Sequence, residues 1–200
     1  MTSVRKPIQK RSIEKKNRIL ANGFELFCEK GYFGTNTNEI SQLSNVSTGV
    51  IYSYFSDKRD IFIESFEMFF EKQFTPLTQL FNEQADSFDF EQFIHHTLTV
   101  FIEMYRDSSQ AILELSYMMS KDEEIFERFS AISDKMMTSF IDGLHEEKID
   151  LTLEQMYLIY AIIDSVAQEI SHKSFETIDH AALKKLSLDI MGQIADVPSK

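Results

Sequence analysis

The chain has 200 residues, 43% hydrophobic and 26% charged, with 6 Gly, 3 Pro and one Cys. That composition excludes a disordered or collagen-like chain, and a single cysteine excludes an internal disulfide. The net charge of −12 argues against a polyanion partner, yet residues 1–60 carry 10 Lys/Arg against 6 Asp/Glu and residues 61–200 carry 10 against 26. Residues 1–18 alone hold seven cations and one Glu, so a basic head precedes an acidic body.

From Ile13 to Lys30, Ile13, Leu20, Phe24 and Phe27 recur at helical spacing with Ile19 and Leu26 alongside. Gly31 ends that run as a C-cap glycine, and Asn22-Gly23 weakens its middle, the glycine by ~1 kcal/mol relative to Ala. Cys28, in LFCEKG, reads as a half-buried helix residue rather than a nucleophile. Asn36-Thr37-Asn38-Glu39 forms a capping box opening a short helix through Ser44, with Ile40 and Leu43 expected on its inner side. Asn45 and Val46 break the pattern, Asn tolerating the left-handed turn. Ser47 then caps a second short helix, Thr48 to Phe55. Two short helices joined by a tight turn are a helix-turn-helix.

A longer helix is expected from Asp57 to Pro76, with a kink or break at the proline. Helical segments follow at about 88–106, 109–119, 122–146, 152–173 and 179–195. No hairpin turn or sustained β alternation appears. The expected fold is therefore all-α, about nine helices. A basic arm and three-helix DNA-binding domain occupy residues 1–56, and a larger helical ligand-binding and dimerisation domain occupies 57–200. The basic start has no apolar stretch behind it, so it does not read as a secretory signal. The longest apolar run, Met156 to Ile163, is too short to cross a bilayer. A cytoplasmic protein without membrane partners is expected.

At ~100° per residue, Ile51 and Phe55 share one side of the second short helix, while Gly49, Val50 and Ser53 point away. Such a helix docks on its own domain and presses outward into a major groove. Gly49 lets backbone approach backbone. Ser47 and Thr48 lie where helix N–H groups favour a phosphate. Tyr52 and Tyr54 reach phosphates from opposite flanks, and Lys58 and Arg11 of the basic arm add cations. Half-buried tyrosines and simple caps would give the same pattern; the adjoining arm turns the reading toward binding.

The segment ILANGFELFCEKGYFGTNTNEISQLSNVSTGVIYSYFSDKRDI, Ile19 to Ile61, resembles the DNA-binding domain of the TetR family of transcriptional regulators. Its signposts are Leu26-Phe27, Gly31, Thr35, Ile40, Val46-Ser47, Gly49, Tyr52, Tyr54-Phe55 and Lys58. The resemblance implies DNA contacts from Thr37, Ser47, Thr48, Gly49, Tyr52, Ser53, Tyr54 and Lys58. Departures are Asn22-Gly23 and Ser41 and Ser44 in place of alanines, Asn45 in place of a turn glycine, and Thr48 where a cation is frequent.

In the body, apolar residues cover more than half the circumference of 153–170. With the stripe of the last helix, Leu158, Ile159, Ile162, Val166, Leu183, Leu186, Ile190 and Ile194 form an expected four-helix homodimer interface. A twofold dimer also supplies two recognition helices about 34 Å apart for a pseudo-palindromic operator. A small apolar effector is expected among Phe70, Phe74, Phe93, Phe101, Tyr105, Met118, Met119, Phe140 and Tyr160, with His96 and Asp164 as polar contacts. Taken singly, each of these aromatics and methionines suits plain core better, because helical Phe and Met usually fill space. A dimer under the control of a protein partner is the rival reading. A remoter one is a helical-bundle metalloenzyme, suggested by Glu169-x-x-His172, but the second such motif that a di-metal site needs is missing. No metal, cofactor or catalytic residue is assigned.

Overall fold

The computed structural model describes residues 10–83 and 88–195, and these are helical with no strand among them. The helices are α1 (Lys10–Gly34), α2 (Thr37–Leu43), α3 (Thr48–Tyr54), α4 (Lys58–Glu83), α5 (Phe90–Met119), α6 (Glu123–Glu146), α7 (Leu153–His172) and α8 (His180–Ile194). Helix α1 is kinked at Gly31 (φ 74°, ψ 169°) and α5 at Ser108 (φ −131°, ψ 21°). The chain forms two compact units. The first holds the described residues up to Glu71 together with Ser108–Phe129; the second holds Lys72–Asp107 and the described residues from Ser130 onward. Helices α4, α5 and α6 each contribute residues to both.

The first unit is organised around aromatic rings. Phe27 meets Phe62 edge-on at 5.1 Å, Phe24 meets Phe66 at 5.1 Å and stacks on Phe69 at 4.4 Å. Ile19, Phe27, Ile40, Ile51, Phe55, Phe62 and Phe66 are completely buried, so α1 to α4 share one core. Gly23 is buried too: a Cβ there would stand 2.9 Å from Ile61 Cγ2. The glycine that weakens α1 as an isolated helix thus allows α4 to approach it closely. Gly31 has φ 74° and ψ 169°, a conformation open essentially to glycine alone; it kinks α1, which continues to Gly34 instead of ending at Gly31 as a C-cap glycine would have it.

Helix α2 starts as its sequence requires. Asn36 accepts from the Asn38 and Glu39 amides, and Glu39 returns a bond to the Asn36 amide. Its inner side differs from expectation. Ile40 is fully buried, but Leu43 is 48% exposed, and the small Ser41 and Ser44 are buried in its place. Asn22 Nδ2 donates to Ser44 Oγ at 3.1 Å and Arg18 Nε to the Ser44 carbonyl at 3.0 Å. Two of the departures from the family pattern therefore satisfy each other, which a buried serine requires. Asn45 turns the chain at φ 50°.

The break expected at Pro76 does not occur: α4 continues through it to Glu83. Proline removes its own N–H bond to the carbonyl of Lys72. Both residues are exposed, so the freed carbonyl lies on the side of the helix that faces solvent. Buried Leu77 next to it keeps the turn packed.

In the second unit, Phe93 lies 5.0 Å from Phe81 and 5.7 Å from Phe140, and Phe101 lies 5.6 Å from Phe74 and 6.0 Å from Tyr160. Helix α7 opens with a Thr152–Gln155 capping box and ends at Lys173 with φ 52°. It packs on α8, where Gln155 Nε2 donates to the Ile194 carbonyl at 2.8 Å and His180 Nε2 sits 3.1 Å from Glu169.

Candidate nucleic-acid interface

Helix α3 is held on its inner side by Ile51 and Phe55, both at 0% exposure. Ser47 is its N-cap, its Oγ accepting from the Val50 amide at 3.3 Å. Gly49, Tyr52 and Ser53 are exposed, and Thr48, Val50 and Tyr54 half-buried. The helix has only seven residues, so its dipole field is weak, and hydroxyls rather than the helix end dominate the surface. The structure thus brings Ser47, Thr48, Gly49, Val50, Tyr52, Ser53 and Tyr54 onto one short helix, with Thr37 on the first turn of α2 and Arg11, exposed, on the first turn of α1.

The hydroxyls are already oriented. Tyr52 OH lies 3.2 Å from Thr37 Oγ1, and Tyr54 OH lies 2.8 Å from Ser12 Oγ. Ser53 Oγ donates to the Val50 carbonyl at 2.6 Å, which spends its only proton and leaves its lone pairs outward. It therefore faces outward as an acceptor.

Lys58 sits differently from a free cation. Its Nζ donates to the carbonyls of Tyr32 at 2.6 Å and Thr35 at 2.8 Å and lies 4.1 Å from the Tyr32 ring centroid. Burial lowers its pKa. Two of its three N–H bonds are thus spent on the end of α1, leaving one for another partner.

Two anchoring residues escaped the sequence reading. Arg59 donates from Nε at 2.8 Å and Nη2 at 2.6 Å to the two carboxylate oxygens of Asp122, and from Nη1 to Glu124 at 2.8 Å. These bonds raise the pKa of Arg59 and lower that of Asp122. Glu114 accepts from the Tyr32 amide and lies where a Gly31 Cβ would be. Both partners are more than sixty positions away, so no local pattern announced them. Ser12 was also missed, although it directly follows Lys10 and Arg11 in the arm. Residues 1–9, the rest of the basic arm, lie outside the described residues.

The expected effector residues divide between the units. Phe70, Met118 and Met119 belong to the first, and the other eight to the second. In the second unit Phe101 and Tyr105 are buried, and Tyr105 OH donates to Asp164 Oδ1 at 2.6 Å. Burial raises the pKa of both groups, and drives that of Tyr160 up to about 12. Phe93 is buried and His96 exposed beside a surface cleft of about 500 Å³, which also touches Phe88, Asp89, Glu91, Gln92 and His95. Of the expected interface, Leu158, Leu186 and Ile190 are exposed, and Ile162, Leu183 and Ile194 half-buried. Ile159 and Val166 are instead buried within the protomer, because α7 turns its 156/159/163/166 stripe inward. Leu153 and Tyr157 stand exposed in their stead.

Residues 19–64 match the family described as bacterial regulatory proteins, tetR family. A TetR-family transcriptional regulator from Mesorhizobium loti shares the fold with TM-score 0.76 at 15% identity, over 93% of this chain and 98% of that one. Residues 19–64 are thus a TetR-family DNA-binding region by sequence, and the chain as a whole shares the fold of TetR-family structures. Among relatives of this chain, the HTH-type transcriptional regulator HbdR of Aromatoleum sp. is 44% identical over 48 residues, which is 24% of the chain and 21% of HbdR. The HTH-type transcriptional regulator QacR of Staphylococcus aureus is 28% identical over 133 residues, 65% of the chain and 66% of QacR. The matches thus span about a fifth of one relative and just under two thirds of the other. Among the described residues no helix is long and apolar enough to cross a membrane, and no cluster of ligating side chains is positioned to hold a metal.

Proposed function

We propose that this chain is a sequence-specific, DNA-binding transcriptional regulator of the cytoplasm with no enzymatic activity. It acts as a homodimeric repressor that leaves a pseudo-palindromic operator when a small, largely apolar effector binds. One observation carries the reading: α3 is pinned from inside by Ile51 and Phe55 while Gly49, Tyr52 and Ser53 stand exposed beside the basic start of α1. An amphipathic helix with that division fits a major groove. Tyr52, Tyr54, Thr37, Ser47, Thr48, Arg11 and the remaining donor of Lys58 would take phosphates; Val50 and Ser53 would read bases. Functionally, the division falls at 56/57, with reading residues before it.

Dimerisation through α7 and α8 is supported by Leu153, Tyr157, Leu158, Leu186 and Ile190, large apolar side chains exposed on these two helices. For the effector, the aromatic cluster around Phe101 with the Tyr105–Asp164 pair offers apolar walls and one polar anchor. Helix α4, which has residues in both units, would carry the signal by a population shift. A second reading, control by a protein partner, is favoured by Phe33, Leu113, Tyr117 and Phe126, exposed apolar side chains of the first unit. Selecting bound fragments from random duplex DNA tests the function: a pair of inverted half-sites about one helical turn or a multiple apart supports it, and recovery of no enriched sequence refutes it.

A further inference from the structure

We propose that Ser12 is a positioning residue of the DNA complex, orienting the Tyr54 phenol so that the pair presents one polarised proton to a backbone phosphate. The inference rests on the DNA-binding reading above. Ser12 lies in the first turn of α1 and Tyr54 in the last turn of α3, and their oxygens are 2.8 Å apart across 42 positions of sequence. A hydroxyl has one proton to give and two lone pairs with which to accept. The contact consumes one of the pair's two protons and leaves the other. A phosphate oxygen only accepts, so it takes that remaining proton, whichever oxygen carries it. The bond within the pair polarises the bond leaving it, as in any hydrogen-bonded chain.

The same arrangement recurs on the other flank, where Tyr52 OH lies 3.2 Å from Thr37 Oγ1. Both tyrosines of the recognition helix are thus backed by a hydroxyl from a neighbouring helix, one from α1 and one from α2. The α1 side is fixed a second time. One turn beyond Ser12, Lys16 Nζ lies 5.4 Å from the Phe55 ring centroid and 2.5 Å from Glu64. The first turns of α1 are therefore tied to α3 and α4 at two points. Arg11, next to Ser12 and exposed, is carried at a fixed distance from α3. Ser12 thereby joins the basic arm to the reading helix. Two pre-oriented donors on opposite flanks set the register of α3 in the groove, the task of contacts that carry no sequence information.

The test uses the full chain and a mixed-sequence duplex, because phosphate contacts act on any sequence. Ser12→Ala and Tyr54→Phe should each weaken binding by about tenfold, the worth of one good hydrogen bond. The double variant should lose no more than either single one, since both remove one relay. The slope of log K against log salt should stay unchanged, because no cation is removed, whereas Arg11→Ala should lower it. Ser12→Thr, which keeps the hydroxyl, should restore binding, and the thermal midpoint should not move. Wild-type affinity in Ser12→Ala, additive losses in the double variant, or a loss that follows a lowered midpoint would overturn the proposal. A wild-type chain that binds no duplex would instead remove the DNA-binding reading itself, and this inference with it.

Discussion

Gly31 meets two demands at one position, a φ of 74° and the Glu114 carboxylate standing where a Cβ would be. Gly31→Ala therefore strains the backbone and displaces the acceptor of the Tyr32 amide. A loss of about 1–3 kcal/mol in urea unfolding is expected, and an unchanged midpoint would contradict it. The need for glycine was legible in the sequence because a glycine closing a helical run is a local signal; the carboxylate was not, because it comes from 82 positions beyond Tyr32. Asp164 poses the converse problem. Burial raises its pKa, so the folded chain holds that proton more tightly than the unfolded chain does. The stabilisation from this group is complete below the ordinary carboxylate range and is lost as pH rises through the raised folded value. At neutral pH the charged form is the costly one. Asn keeps an acceptor for the Tyr105 hydroxyl and carries no charge. Asp164→Asn should therefore melt higher than wild type near neutrality, with the gap closing as the solution is acidified. A gap independent of pH would show that the carboxylate is not desolvated.

Among the elements, α2 and α3 were legible almost to the residue, since Asn36, Asn45 and Ser47 each state a cap or turn in their own chemistry. Leu43 was misplaced because a seven-residue helix gives too few turns for periodicity to fix its inner face. Its exposed leucine and buried serines reflect how closely α1 passes, which only the fold determines. The division of the fifth helix near residue 108 was legible as a boundary between the segments 88–106 and 109–119, but not its nature as a kink at Ser108 rather than a loop. Pro76 was read as a break because proline costs ~3 kcal/mol inside an isolated helix. In α4 that cost is borne by packing on either side of an exposed turn. Pro76→Ala restores the missing N–H bond without burying anything new, so it should stabilise the chain by about 1–2 kcal/mol, part of the gain being offset by a freer unfolded chain. A lowered thermal midpoint would mean that the proline is required by the geometry of α4. On α3, the outward lone pairs of Ser53 suit an amine donor on adenine or cytosine, and Val50 suits a thymine methyl. Changing either should shift the sequence recovered by selection, and an identical selected site would remove that residue from the reading set.

For the whole molecule, the basic start and the acidic body would set how it meets DNA under the proposed function. An acidic body repels a polyanion, so binding must be local to the basic start and fall steeply with salt. In the proposed dimer two such heads, held at one spacing, would convert weak local binding into operator recognition, because the second head would bind at the effective concentration set by the first. The α7–α8 face offers the means. Its exposed Leu153, Tyr157, Leu158, Leu186 and Ile190 would cost solubility in a lone chain and gain most by burial against a second copy. The part of this face legible in the sequence was its existence; the error of placing Ile159 and Val166 on it came from a helix apolar on most sides, whose inner stripe only the packing identifies. Leu158→Glu with Leu186→Glu places charges on that face without touching the buried stripe. The double variant should keep its helical content, sediment as a monomer where the wild type sediments as a dimer, and bind the selected operator at least about a hundredfold more weakly. Its affinity for a single half-site should change little, because each α3 is intact. A wild type that sediments as a monomer, or a double variant that stays dimeric, would move the interface elsewhere. A monomeric variant with full operator affinity would show that one head reads the site alone.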